Sequence, residues 1–382
     1  MCKLMEVLER DNARMDIQLH KVLRMNGGDG HNSYANNSPL QNKVILRVKP
    51  ILQESIADLY SKNFPDCITM ADMGCSSGPN TFLPIWQVIE ALDETCRRLN
   101  RKPPILQVFL NDLPENDFNF IFKTLPSFHK KLEEEKGSNF GPCFIAAMPG
   151  NFYERLFPPH SLHFVYSSYS LQWCSEVPKI PVNKGNIYLA KTSPPSVHRA
   201  YLNQFEKDMK AFLSCRSEEI IQGGHMFITI YGRDDNYDDS SHKYTPNMWE
   251  LLGITLNDMV SEGLIEESKL DSFNIPVYGP SAEELKNLIE AQGSFTINRL
   301  ETFKVGWVEA MDNPYKDSMD KYKRGKHIAS RIRGISESLL AFHFGCEFID
   351  NIFQRFSIKI EEQLELTMDG GNTNHVVSMT KK

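Results

Sequence analysis

Apolar and polar positions follow two rhythms through the first 235 residues. Short apolar runs stand at 67–73 (CITMADM), 105–110 (ILQVFL), 143–148 (CFIAAM), 162–166 (LHFVY) and 225–231 (HMFITIY). Each has the length and the β-branched or aromatic content of a buried strand. Between several of them lie long amphipathic stretches, such as 81–99 and 197–221, with apolar positions at helical spacing. Strand-helix alternation predicts an α/β fold with a mostly parallel sheet and helices on both faces. After the polar loop at 233–244 the rhythm changes: 248–265, 282–293 and much of 326–365 read as helix, 295–305 and 375–379 as late strands. The pattern predicts one α/β domain carrying a mostly helical cap over residues 236–294.

Composition narrows the function. At 41% hydrophobic and 24% charged, the 382 residues are ordinary for a globular protein. Acidic residues outnumber basic ones 49 to 42 without a basic stripe, so nucleic acid is not an expected partner. The eight cysteines lack paired spacing and suit free thiols in a reducing compartment. No run of eighteen apolar residues offers a membrane span, so a cytoplasmic location is the expectation.

Candidate chemistry begins at ADMGCSSGPNT, residues 71–81, which follows the first predicted strand. It lacks the Lys-Ser/Thr ending of a phosphate loop and the GxGxxG of a dinucleotide turn. What it has is Asp72 at a strand end and two glycines that permit close approach to backbone. Either the glycines only shape a turn, or the loop holds a ligand. The second run, QVFLND, puts Asp112 where α/β nucleotide sites place a carboxylate against ribose hydroxyls. The third ends in MPGNFYERLFP, whose Phe152 can stack on a purine. Two strand-end carboxylates plus an aromatic ring suggest a nucleoside bearing an amino acid, such as S-adenosylmethionine (SAM).

The blocks SYANNS, ADMGCSSGPNT, LNDLPENDFN, MPGNFYERLFP, HFVYSSYSLQW, NKGNIY and KLDSFNIPVY, in order over about residues 20–382, resemble the plant SABATH methyltransferases. That family methylates salicylate, benzoate, jasmonate and other small carboxylic acids, and xanthine nitrogens in its caffeine branch. The resemblance implies a Rossmann-like class I methyltransferase sheet under the cap, with 20–235 and 295–382 as core plus C-terminal helical elements. Residues 1–19 are set aside as an N-terminal extension, the first fourteen or so expected to be dispensable. A homodimer is also implied.

Carried over residue by residue, the resemblance assigns Tyr34, Cys75, Asn80, Asp112, Leu113, Phe152 and Ser168 to the cofactor, with Asp72 closing that pocket. Asn151 departs from the family's Pro-Gly-Ser-Phe-Tyr and keeps hydrogen-bonding capacity. On the acceptor side it implies Tyr169, Gln172 and Trp173, with Tyr34 bordering both ligands. Gln41 and Trp173 are the catalytic pair, donating to a carboxylate, while Trp249 and Ile332 form walls. An isolated tryptophan is more often core than wall, and the motif context carries the alternative. Gln172 stands where salicylate enzymes commonly have Met and xanthine enzymes His; Tyr231 replaces an expected Leu. Both add polar groups and point to an acceptor with an extra polar substituent, such as anthranilate or a heterocycle.

No general base is required, because a carboxylate with a pKa of about 4 is ionised at neutral pH. Catalysis then reduces to holding oxygen and methyl carbon at roughly 3 Å away from water. Asn183, Asp271, Phe273 and Asn274 correspond to a magnesium position in parts of the family, where any ion would be structural. The same residues are ordinary turn and capping chemistry. An N-methyltransferase acting on a xanthine-like heterocycle and a non-catalytic binder of a hormone acid are the alternative functions.

Overall fold

The computed structural model describes residues 19–137, 141–180, 183–234, 247–310, 321–364 and 371–382. Its centre is a seven-stranded sheet: β1 Cys67–Met73, β2 Ile105–Asp112, β3 Cys143–Pro149, β4 Leu162–Ser168, β5 Ile220–Gly232, β6 Phe295–Gly306 and β7 Gly371–Lys381. The strand order is β3-β2-β1-β4-β5-β7-β6, with β1 to β5 parallel and β7 antiparallel between β5 and β6. Order reverses between β1 and β4, which opens a crevice at the carboxyl ends of those strands.

Period two along β1 divides the core. Ile68 and Met70 face the Lys49–Asn63, Leu83–Arg98 and Phe118–Lys136 helices, while Ala71 and Met73 face the side of Pro195–Glu219 and Ala282–Gln292. A strand buried on both faces reads as a continuous apolar run, which is why β1 was legible. β5 was legible only from His225, but it starts at Ile220, directly where the Pro195–Glu219 helix ends. Gly224 permits that start, since a Cβ there would stand 2.9 Å from the His163 carbonyl. The glycine pair hid the strand from a hydrophobic pattern.

The cap is assembled differently from the 236–294 block expected from sequence. Residues 236–246 lie outside the described residues. Helix Met248–Ser261 packs on Ile349–Leu364, which in turn packs along Lys321–Phe344. Ile349, Ile352, Phe353, Phe356, Ile360 and Leu364 form the apolar stripe that requires this cover. Ala282–Gln292 instead lies against Pro195–Glu219 and β6. It is delimited by a Ser281/Glu284 capping box and by Gly293 at φ +82°, both readable in sequence. Residues 1–18 are outside the described residues, whereas Leu19, set aside with the extension, is buried in the main core.

Candidate active site

The loop after β1 is fixed by backbone geometry that few residues can adopt. Gly74 has φ +82°, and a Cβ there would fall 2.2 Å from the Ser170 hydroxyl oxygen. Gly78 has φ +115°, and its Cβ would fall 2.8 Å from the Cα of Ala35. These approaches seat the loop against the segment after β4 on one side and the Tyr34–Asn37 turn on the other. Ser76, a non-glycine residue at φ +52°, is held by Asp112, which accepts its N–H at 2.7 Å and that of Leu113 at 2.8 Å.

A cavity of about 730 Å³ opens over this loop and under the cap. On the cofactor side its wall includes Tyr34, Ser76, Asp112, Leu113, Asn151, Phe152 and Ser168. Asn151 takes the Tyr153 N–H at 3.0 Å and so closes its own turn. Asp72, Cys75 and Asn80 are buried but stand behind the wall. For Asn80 the reason is its bonding: it donates to the Ser38 carbonyl at 3.0 Å and hydroxyl at 2.9 Å, and accepts from Asn42 at 3.0 Å. It therefore ties the loop to the segment carrying Gln41.

The electrostatics of this half call for a cation. Burial, then Asp112, pushes the Asp72 carboxyl well above the usual range. Burial pushes Asp112 up to about 6, against the lowering effect of the Ser76 and Leu113 N–H groups. Both acids also raise Tyr34, after burial. Among the described residues neither carboxyl has an ion-pair partner, so a ligand carrying positive charge and hydroxyl donors would relieve the site.

On the acceptor side, Gln41, Tyr169, Gln172, Trp173, Tyr231, Trp249 and Ile332 all line the same cavity. Trp173 and Trp249 meet edge to face at 6.2 Å, so each is embedded in the core with one side on the cavity. Among the described residues, no protein group pairs with the Gln41 amide, the Trp173 indole N–H or the Tyr231 hydroxyl, and the Gln41 oxygen is buried. Gln172 donates its amide N–H to the Tyr169 carbonyl at 2.7 Å, which leaves its buried oxygen without a partner. Tyr169 sits at φ +57° and donates its hydroxyl to Asn374. A polar atom without a partner in an otherwise satisfied interior marks a place for ligand.

Several residues that hold these walls were not apparent in the sequence. Tyr153 donates to the Trp173 carbonyl at 2.7 Å, and buried Asp208 takes the Ser175 N–H at 2.8 Å and hydroxyl at 2.6 Å. The Phe152 loop is anchored by Arg216 and Glu219, both 0% exposed and paired at 2.7 and 2.9 Å. Arg216 also donates to the Phe152 carbonyl at 2.7 Å and that of Glu154 at 2.8 Å. Tyr153 stands within a block already noted; the others form contacts across long chain separations.

Asn183, Asp271, Phe273 and Asn274 lie away from the cavity wall. The Asn183 oxygen accepts from Ser193 at 2.8 Å, and one Asp271 oxygen accepts the Gly185 N–H at 3.0 Å. Of the four side chains and carbonyls considered, Asn274 contributes a buried oxygen with no partner. Among the described residues no group of three His, Cys, Asp or Glu stands together. Asn183 and one Asp271 oxygen are thus engaged in closing their own loops, while the Asn274 oxygen is not.

A family model described as SAM dependent carboxyl methyltransferase matches residues 20–382. S-adenosyl-L-methionine:benzoic acid/salicylic acid carboxyl methyltransferase 3 of Petunia hybrida is 46% identical over 96% of this chain and 99% of that protein. Probable caffeine synthase 3 of Coffea arabica is 43% identical over 96% and 98%. The structure of loganic acid methyltransferase with SAH is 33% identical, covers 94% of this chain and 98% of that one, and superposes with a TM-score of 0.80. The chain belongs to the SAM-dependent carboxyl methyltransferases of the SABATH family.

Proposed function

We propose that the chain methylates the carboxylate of a small aromatic acid that carries a hydrogen-bond donor, giving a methyl ester. The observation that carries this reading is the pair formed by Gln41 and Trp173. Both residues line the cavity, and among the described residues neither the Gln41 amide nor the Trp173 indole N–H is bonded to a protein group, which leaves both free to donate to a carboxylate. Bound SAM supplies an activated methyl on a sulfonium. The residues then orient the acceptor: Gln41 and Trp173 hold its charge, Tyr169 and Trp249 bound its ring, and the Trp173/Trp249 contact excludes water. Asp72 and Asp112 favour the cationic cofactor, with Asp112 accepting from its hydroxyls and Phe152 bordering the nucleoside. Transfer to an ionised carboxylate calls for no magnesium step. We place the reaction in the cytoplasm, on the scattered free thiols, and in a homodimer, on the family resemblance.

Cofactor affinity is expected to depend on Asp112 ionisation. With its carboxyl near 6 in the ligand-free protein, the dissociation constant for S-adenosylhomocysteine (SAH) should rise roughly tenfold from pH 7 to pH 5. Stability of the free protein moves the other way. A folded pKa above the unfolded value of 3.8 means that the Asp112 contribution is full below about 4 and lost as pH rises through 6. Calorimetry giving a flat SAH affinity over that range contradicts the assignment.

Gln172 and Tyr231 set the choice of acid. Because the Gln172 N–H is committed to Tyr169, its oxygen can only accept, which suits an amino or hydroxyl substituent on the acceptor. Burial pushes the Tyr231 hydroxyl up to about 12, so it stays a neutral donor and acceptor. The variant Gln172→Met/Tyr231→Leu should gain relative kcat/KM for plain benzoate over anthranilate by about 1 to 3 kcal/mol, the scale of one buried hydrogen bond. Parallel loss on every acid would mean that the pair supports packing alone. Methylation of a heterocycle nitrogen is the second reading, favoured by the 43% identity to a probable caffeine synthase. The Gln172 oxygen would equally accept a ring N–H.

A further inference from the structure

Cationic side chains reach the cavity from several walls, and most are answered. Arg233 pairs with Glu284, and Lys304 pairs with Asp234 at 2.9 Å. Arg24 is exposed to solvent at the cavity margin. Arg331, on the cap helix Lys321–Phe344, is different. It lines the cavity half-buried, gives one N–H to the Trp307 carbonyl at 3.1 Å, and among the described residues has no carboxylate in ion-pair contact. Burial alone pulls its pKa down to about 10, with no acid raising it. A guanidinium has five N–H donors in a planar fork, and stripping water from them without an anion is costly.

Its place in the wall shows what it addresses. The Trp307 indole N–H donates to the Asn372 side chain at 3.0 Å, Asn374 donates to the Asn372 carbonyl at 2.8 Å, and Tyr169 donates to Asn374. A continuous series of bonds thus runs from the tyrosine bordering the acceptor ring to Arg331, with three residues between. Ile328, Ile332 and Ile335 of the same helix line the cavity beside it. Among the described residues Arg331 is therefore a charge without a carboxylate partner beside an apolar strip.

We propose that Arg331 binds a second oxyanion of the acceptor, distinct from the carboxylate that is methylated. The proposal rests on the carboxyl-transfer reading above and adds a charge requirement to it. A planar carboxylate or sulfonate pairs with the guanidinium through two parallel N–H bonds, and the apolar strip rejects a neutral polar group in its place.

The test is equilibrium binding to the SAH complex by calorimetry, using benzoate, isophthalate and 3-sulfobenzoate. Wild type should bind the two dianions about tenfold or more tighter than benzoate, the worth of one charge-assisted pair. Arg331→Leu should remove that preference, and Arg331→Lys should keep part of it. A preference for isophthalate alone, lost in Arg331→Leu, still supports the pairing and narrows the anion to a carboxylate. Equal binding of benzoate and both dianions by wild type overturns the proposal, as does an equal loss of all three in Arg331→Leu. Labelled methyl transfer to the same acids is read separately. Absence of transfer with an intact, Arg331-dependent binding preference would defeat the proposed reaction and leave this assignment standing.

Discussion

Asp112→Ala is expected to abolish SAH binding, lowering affinity by at least about a hundredfold. The carboxylate is at the end of β2, half-buried, and bonded to the Ser76 and Leu113 N–H groups at 2.7 and 2.8 Å. An ionised carboxylate accepts about four hydrogen bonds, so two sites remain for ligand hydroxyls. Two charge-assisted bonds at about 1.5 to 3 kcal/mol each account for the loss. The substitution also frees Ser76, whose φ of +52° depends on this contact. Asp112→Asn tests the electrostatic part, because the Ser76 and Leu113 N–H groups bond different carboxylate oxygens and the amide replaces one of these acceptors with an N–H₂ donor. Circular dichroism separates loss of cofactor from loss of fold. Unchanged SAH affinity in a folded Asp112→Ala protein would remove Asp112 from the site.

The second large effect is on stability. Arg216→Ala should cost about 3 to 5 kcal/mol, because it removes the buried partner of the Glu219 carboxylate and leaves only the half-exposed Arg155, 3.5 Å from one oxygen, to balance it. The damage is directed at the site: Arg216 holds the carbonyls of Phe152 and Glu154, and Glu219 takes the N–H of Leu156 at 2.7 Å and of Phe157 at 3.1 Å. Cofactor KM should rise in whatever fraction stays folded. Replacing both partners by Met and Leu removes the stranded charge and should recover part of the stability but not the KM, since the loop keeps no anchor. Urea unfolding reads both variants. A change under about 1 kcal/mol in Arg216→Ala would mean that this pair is not what fixes the loop.

The sequence showed the parts of this protein that local chemistry determines. β1 could be read because a strand buried on both faces is apolar throughout, β2 because its alternate positions are buried, and Asp112 and Phe152 because each stands at or beyond the end of an apolar run. Asn80 shows the limit. Its position in the loop after β1 was legible, but not that its amide is fully engaged by Ser38 and Asn42, which are 42 and 38 residues away. Arg216 and Glu219 look in sequence like a solvated i,i+3 pair on a helix; a loop 64 residues upstream buries them. Arg331 gave no signal at all, since an arginine on a helix is ordinarily exposed. Its lack of a carboxylate partner among the described residues appears only when the β6–β7 wall, Trp307 and the cap helix close around it. Residues placed by long-range packing carry the selectivity of the cavity, and periodicity does not reach them.

The central claim is that the group methylated is a carboxylate held by Gln41 and Trp173. Methyl-labelled SAM, incubated with the protein and a panel of aromatic acids and xanthines, tests it in one measurement when the labelled product is treated with mild alkali. An ester releases the label as methanol, and Gln41→Ala should reduce its formation without weakening SAH binding. Label that is transferred but survives alkali, on a heterocycle and with Gln41→Ala fully active, would contradict the account.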